Sequence, residues 1–267
     1  MQHIVQNKPI RLFLILGGFF IANALIAEII GVKIFSLEST LGFEPMNLRI
    51  FGNELSVNLT AGVLLWPVVF VMTDLINEYY GMKGVRFLSY LAAFLIAFAF
   101  LIFVLAMQLT PAAFFVTSKQ GSGVPDMERA YNAVLGQGGF IIIGSLTAFI
   151  LGQLIDVFVF HRIKQLTGEK YIWLRATGST LVSQFIDSFV VLFIAFYIGT
   201  RVNANGSDFV WPLQLFLAVG IVNYIYKFIV AIALTPVLYL MHGIIERYLG
   251  QEEAARMKQR AMGKESE

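Results

Sequence analysis

The chain has 267 residues, 58% of them hydrophobic and only 13% charged, where a soluble domain carries roughly 25% charged residues. A mean hydropathy of +0.75 excludes an ordinary water-soluble domain and places the chain in a bilayer. With no cysteine, a disulfide framework and a thiolate metal site are excluded, and the formal net charge of +2 says less than where the charges fall.

Six stretches are apolar enough to cross a hydrocarbon core, which takes about 20 helical residues. They are 11–32, 58–80, 84–107, 139–160, 176–199 and 212–241. The first is too long and too polar in its middle for a cleaved signal peptide, and no small-residue cleavage site follows it. The segment 36–57 carries Gly42, Pro45 and Gly52 between alternating apolar residues, the pattern of a short surface hairpin. The second stretch has a short apolar part, 59–72, that runs into Thr73-Asp-Leu-Ile-Asn-Glu-Tyr-Tyr-Gly81. It spans only if that polar run is helical and enclosed by protein. A long loop, 108–138, turns at Gly121-Ser-Gly-Val-Pro125. Pro236 removes a backbone donor and predicts a kink in the last span. The division expected is a six-helix transmembrane domain over 1–250 and a charged cytoplasmic tail over 251–267.

Six spans put both termini on one side. That side holds 13 Lys and Arg residues and the other holds 5, with Lys227 inside the last span. The positive-inside rule then predicts an all-α integral membrane protein, a six-helix bundle with both termini cytoplasmic.

Polar residues inside these spans are the candidates for function, because a carboxylate at the bilayer centre costs about 2.5–3.5 kcal/mol. Gln153-Leu-Ile-Asp156 and Gln184-Phe-Ile-Asp187 each set a carboxamide and a carboxylate three residues apart, on one helical face. Ser179, Ser183 and Asp187 form a stripe at four-residue spacing, with Thr180 and Gln184 beside it. For the hydroxyls, packing between helices is the plainer explanation; it accounts poorly for Asp187. Asp74 and Glu78 share a face, with Asn77 beside them. Their bland counterpart is a hydrated helix end at the cytoplasmic interface. Asn223 and Lys227 lie four apart near mid-depth, and Lys227 is a counter-charge for Asp187 or Asp156. An internal ion pair alone would satisfy both partners. Asn23 sits near the centre of the first span; Glu28, about 140° further round the helix, faces headgroups or another helix. Trp173 and Trp211 sit at span ends as interface anchors. Trp66, inside a span, is placed to stack on a planar ring.

This set lacks a nucleophile–base pair, a His–carboxylate metal set and a phosphate-binding glycine loop; His3, His161 and His242 are far apart in sequence. It therefore predicts no catalytic residue, no metal and no cofactor. Carboxylates and carboxamides suit the donor–acceptor edge of a flat, base-like solute. An intramembrane enzyme would need a set of groups that the sequence does not contain.

Three ordered motifs resemble one family. Thr73-Asp-Leu-Ile-Asn-Glu-Tyr-Tyr-Gly81, Gly152-Gln-Leu-Ile-Asp156, and Trp173-Leu-Arg175 followed by Ser179-Thr180 and Ser183-Gln-Phe-Ile-Asp187 are similar to the bacterial queuosine precursor transporters of the vitamin-uptake group. Asn23 also fits, and the resemblance runs from about residue 23 to 240. It implies a multi-pass inner-membrane importer of 7-deazaguanine compounds, base or nucleoside, used for tRNA queuosine. The expected partners are the solute and membrane lipid, with no direct nucleic acid; an oligomer is compatible with it. The positions it assigns to the solute are Asn23, Asp74, Asn77, Glu78, Gln153, Asp156, Arg175, Gln184 and Asp187. Asn223 and Lys227 rest on depth and spacing alone. Arg175 has a structural alternative, neutralising Asp156, Asp74 or Glu78. The rival function is a substrate-binding subunit of an energy-coupled vitamin importer.

Overall fold

The computed structural model describes residues 7–136, 139–168, 170–202 and 210–262. His3 and Lys264 lie outside them. Helix α1 spans Lys8–Ile30, opened by the Asn7 side chain accepting from the Ile10 N–H and by Pro9 in the first turn. A short β layer follows: β1 (Ile34–Ser36), a single-turn helix α2 (Leu37–Thr40), β2 (Leu48–Ile50), β3 (Asn53–Leu55) and β4 (Asn58–Thr60). The hairpin expected in 36–57 is β2–β3, antiparallel with Leu48 opposite Leu55. β1 pairs with β4, Ile34 opposite Thr60. Glu38 pins this layer. It is 1% exposed, and its carboxylate accepts from the Val57 N–H at 2.7 Å. That hydrogen bond holds the carboxyl below its ordinary range. Val57, Leu59 and Val63 then pack on Val222 of a later helix.

Helix α3 runs Trp66–Met107. Forty-two residues of straight helix would measure about 63 Å, twice a hydrocarbon core, but α3 is not straight. At Gly81 the backbone takes φ 68° and ψ −173°, a conformation essentially reserved for glycine. The arms on either side both flank α1, in opposite directions. In the first arm, 66–80, the Tyr80 hydroxyl donates to the Pro9 carbonyl at one end of α1, and Gly62, just before the arm, abuts Ala27 at the other. In the second arm, 82–107, Gly84 faces Phe13, and one turn on Leu88 lies against Gly17.

The remaining elements are α4 (Ala113–Thr117), α5 (Met127–Leu135), α6 (Gly139–Thr167), α7 (Ile172–Leu192), a π-helical segment Phe193–Ile198, α8 (Gly199–Val202), α9 (Leu213–Ala233), α10 (Thr235–Leu249) and α11 (Gln251–Ala261). α6 and α7 are antiparallel and close. A Cβ at Gly144 would stand 3.2 Å from the Val191 carbonyl, so glycine there permits the contact. Large apolar side chains such as Phe19, Phe94, Phe98, Leu101 and Ile229 stay exposed on the outside, as a lipid-facing surface requires.

Five helical stretches among the described residues are long and apolar enough to cross a membrane: Lys8–Ile30, Trp66–Met107, Met127–Thr167, Ile172–Val202 and Leu213–Ala233. Two expected boundaries move. Residues 58–65 are strand and 3-10 turn because β4 takes β1 as its partner, and α3 begins only where Pro67 fits the first helical turn. The stretch 212–241 divides at Leu234, because Pro236 starts a new helix there.

The charged tail is helical and docked. Ala254 and Met257 are buried in the main core, and Lys258 pairs with Glu246 at 2.6 Å while its ammonium covers the Tyr79 ring. Lys8 and Arg11 lie over the Tyr248 ring. The start of α1 and the α10–α11 pair therefore share one end of the bundle, and the β layer lies at the other.

Candidate functional site

Asp74, Asn77 and Glu78 are all buried, so the polar end of the first arm is enclosed by protein. Glu78 is wholly buried and meets two bases from two other helices. Arg175 of α7 donates to one carboxylate oxygen at 2.8 Å, and Lys164 of α6 lies 3.1 Å from the other. Lys164 also donates to the Glu78 carbonyl at 3.0 Å, and Arg175 to the carbonyls of Gly168 and Lys170 at 3.0 and 3.3 Å. This triad ties three helices at the end that carries α10 and α11. Next to it, His242 of α10 lies with Nδ1 3.1 Å from the Tyr79 hydroxyl, and burial pushes its imidazole down to about 4.

One turn further in, the Thr73 hydroxyl donates to Gln153 Oε1 at 3.1 Å and the Ser183 hydroxyl to Asp156 Oδ1 at 3.2 Å. Ser179 and Thr180 also face Asp156. Asp74, Asp156, Glu78 and Arg175 are all buried in this region. Buried in this layer, Asp74 Oδ1, both side-chain polar atoms of Asn77, and Gln184 Oε1 have no hydrogen-bond partner. Such atoms are costly to bury unless something satisfies them. Of these, Asp74 lines a narrow cleft of about 20 Å³, room for about one water. It lies between the first arm, α7 and the α9–α10 junction, where Phe70, Asp74 and Thr180 face Leu234, Thr235 and Leu238.

A second polar group lies nearer the β layer. Asp187 pairs with Lys227, both half-buried. Glu28 of α1 is buried, and both its carboxylate oxygens accept from Ser145 of α6 at 2.6 Å. Glu28 thus faces another helix, one of the two alternatives its angle on α1 allows. The Asn23 amide turns back to its own helix, donating to the Phe19 carbonyl at 2.7 Å. Asn223 is half-buried and has no hydrogen bond among the described residues. Trp66 begins α3 and stacks on Phe70.

So the structure gathers Asp74, Asn77, Glu78, Gln153, Asp156, Arg175 and Gln184 in one region. It sets Asp187 and Lys227 in another, and leaves Asn23 and Asn223 outside both. Lys164, which sequence alone counts only as a topological charge, is 1% exposed and central to the triad. It follows Gln153 by eleven residues, which at 100° each returns to nearly the same helical face; that spacing was the available signal.

A family profile described as "Putative vitamin uptake transporter" matches residues 60–241. The chain belongs to this family. It is a transporter by family, not an enzyme, and a multi-pass protein of the bacterial inner membrane. The family match covers both arms of α3, the whole triad and the cleft. Relatives agree with it. The "Probable queuosine precursor transporter" of Bacillus subtilis (strain 168) is 28% identical over 204 residues, 74% of this chain and 80% of that protein. The protein of the same name in Haemophilus influenzae is 28% identical over 184 residues, 68% and 67% of the two chains. The "Queuosine precursor transporter" of Escherichia coli (strain K12) is 25% identical over 204 residues, 74% and 80%. No solved structure matches the chain.

Proposed function

We propose that this transporter imports queuosine precursors, 7-deazaguanine compounds, through a six-crossing bundle with both termini in the cytoplasm. The two arms of α3, opposed along α1, serve as the second and third crossings. The relatives' names supply the solute class. The observation that carries the site is the set of unpartnered buried atoms on Asp74, Asn77 and Gln184, of which Asp74 also lines the cleft. A guanine-type edge offers N–H donors next to a carbonyl acceptor. Carboxylates accept from the former and carboxamides donate to the latter. Phe70 on the cleft wall would cover the ring face. Alternating access would open this layer to each side in turn, with the Glu78 triad closing the cytoplasmic end.

The test is uptake of labelled 7-deazaguanine base by the purified chain in proteoliposomes. Saturable uptake is expected, competed by guanine-edge analogues and not by pyrimidines. Asp74→Asn is expected to lower it tenfold or more, since losing a hydrogen bond to a charged group costs about 1.5–3 kcal/mol, and Asn77→Ala several-fold, since a neutral hydrogen bond contributes about 0.5–1.5 kcal/mol. Uptake at the wild-type rate in both variants overturns the assignment. Tight binding without uptake by the chain alone would instead favour a binding subunit that needs a separate energy-coupling module.

A further inference from the structure

At the end of the bundle that carries the break in α3, one face of α6 is arranged for an anion. Phe158, His161, Arg162 and Gln165 stand at positions i, i+3, i+4 and i+7, so they share that face. With Met82, the residue after Gly81, they line an open groove of about 310 Å³. The cleft at Asp74 admits about one water; this volume admits a headgroup. The face grades from apolar to polar along the helix. Phe158 is 51% exposed within an apolar span, so its ring meets hydrocarbon. Beyond it come an imidazole, a guanidinium and a carboxamide, all able to donate hydrogen bonds. The Arg162 guanidinium lies over the Phe158 ring, 5.4 Å from its centre. Among the described residues, Arg162 is in no ion pair, and the side chains of His161 and Gln165 make no hydrogen bond. No acid is among the residues lining the groove, and Lys83, exposed beside Met82, adds charge of the same sign. Lys164 differs from its neighbour Arg162 in this respect: it turns inward, and its charge is matched by Glu78.

We propose that this groove binds an anionic phospholipid, with the phosphate held by Arg162, His161 and Gln165 and an acyl chain laid on Phe158. A soluble anion would use the donors alone. A lipid uses both halves of the face, and basic pockets between helices at the cytoplasmic side are a recurrent setting for such headgroups. The bound lipid braces Met82, next to the break, against the helix that supplies Lys164 to Glu78. The leaflet follows from the orientation proposed above; the binding depends neither on that orientation nor on the solute.

The test uses the purified full chain. Native mass spectrometry after incubation with equal amounts of phosphatidylglycerol and phosphatidylcholine is expected to show phosphatidylglycerol retained, one per chain, in preference by about tenfold or more. Arg162→Gln should bring the two lipids close to parity, because the charge-assisted hydrogen bonds are lost. Lys170→Gln removes an equal charge at the same end but outside the groove, and should keep the preference. Both residues are exposed, so neither variant threatens the fold. No preference for phosphatidylglycerol, or an equal loss in the two variants, overturns the proposal. Inorganic phosphate is the second probe, added to the protein in phosphatidylcholine nanodiscs. Phosphatidylglycerol in the disc should raise the melting temperature, and phosphate should not. If phosphate raises it as much, and Arg162→Gln abolishes the effect, the groove takes a free anion and the lipid assignment fails.

Discussion

Glu78 shows what a single buried charge does in this bundle. Removing it strands Lys164 and Arg175, each about 1% exposed, with no carboxylate between them. Breaking a buried ion network from one side costs about 3–5 kcal/mol. Glu78→Gln should therefore lower the melting temperature of the purified protein markedly. Asp74→Asn removes a buried charge that has no base, so its melting temperature should hold or rise. Thermal unfolding followed by size-exclusion separates the two, and a similar drop in both variants would deny Glu78 its structural role. The same contrast marks what single residues disclosed. Asp74, Asn77, Gln153, Asp156 and Gln184 were legible because a polar side chain in an apolar span must be enclosed by something. That Glu78 and Arg175 bond to each other was not legible, because an acid and a base on different helices have no register in sequence. Lys164 was hidden by a rule that reads basic residues near span ends as orientation signals.

The elements turn on Gly81. Its φ of 68° with ψ of −173° lets α3 break, and a Cβ there would lie 3.1 Å from the carbonyl oxygen of Ala261 in the docked tail. Gly81→Ala is expected to cost about 1–3 kcal/mol from backbone strain alone. The new methyl also crowds α11, so the tail should release. Limited proteolysis after Leu249 reports this directly; cleavage unchanged from wild type would mean the tail does not depend on the break. Sequence marked this place only as the end of a polar run, since glycine inside a helical pattern has many uses. The β2–β3 hairpin was legible from its alternation and its Gly52 turn. The β1–β4 pairing was not, because its strands are three residues each and lie more than twenty residues apart. The docking of α11 was invisible for a related reason. Its two buried apolar side chains, Ala254 and Met257, sit among charges whose local pattern is that of a solvated helix.

At the scale of the whole molecule, the break at Gly81 decides how the chain is counted. Without it, α3 would be one element about 63 Å long and the bundle would have five crossings, with the termini on opposite sides. The proposed six-crossing arrangement draws its support from the contacts around the break. Tyr80 sits beside Pro9 and Gly84 beside Phe13, so both arms meet at the end of the bundle where α1 begins. The charge distribution agrees, because Lys83 and Arg86 at the break fall on the same side as the basic stretch near residue 164 and the tail. The absence of cysteine makes this directly measurable. Single cysteines introduced at Lys83 and Glu252, both exposed, should react with a membrane-impermeant maleimide only after the cell is opened. One introduced at Lys119, exposed between α4 and α5, should react in intact cells. Labelling of Lys83→Cys from outside would place the break on the opposite face. It would overturn the proposed orientation and leave the two crossings of α3 intact, because both arms still meet at the start of α1.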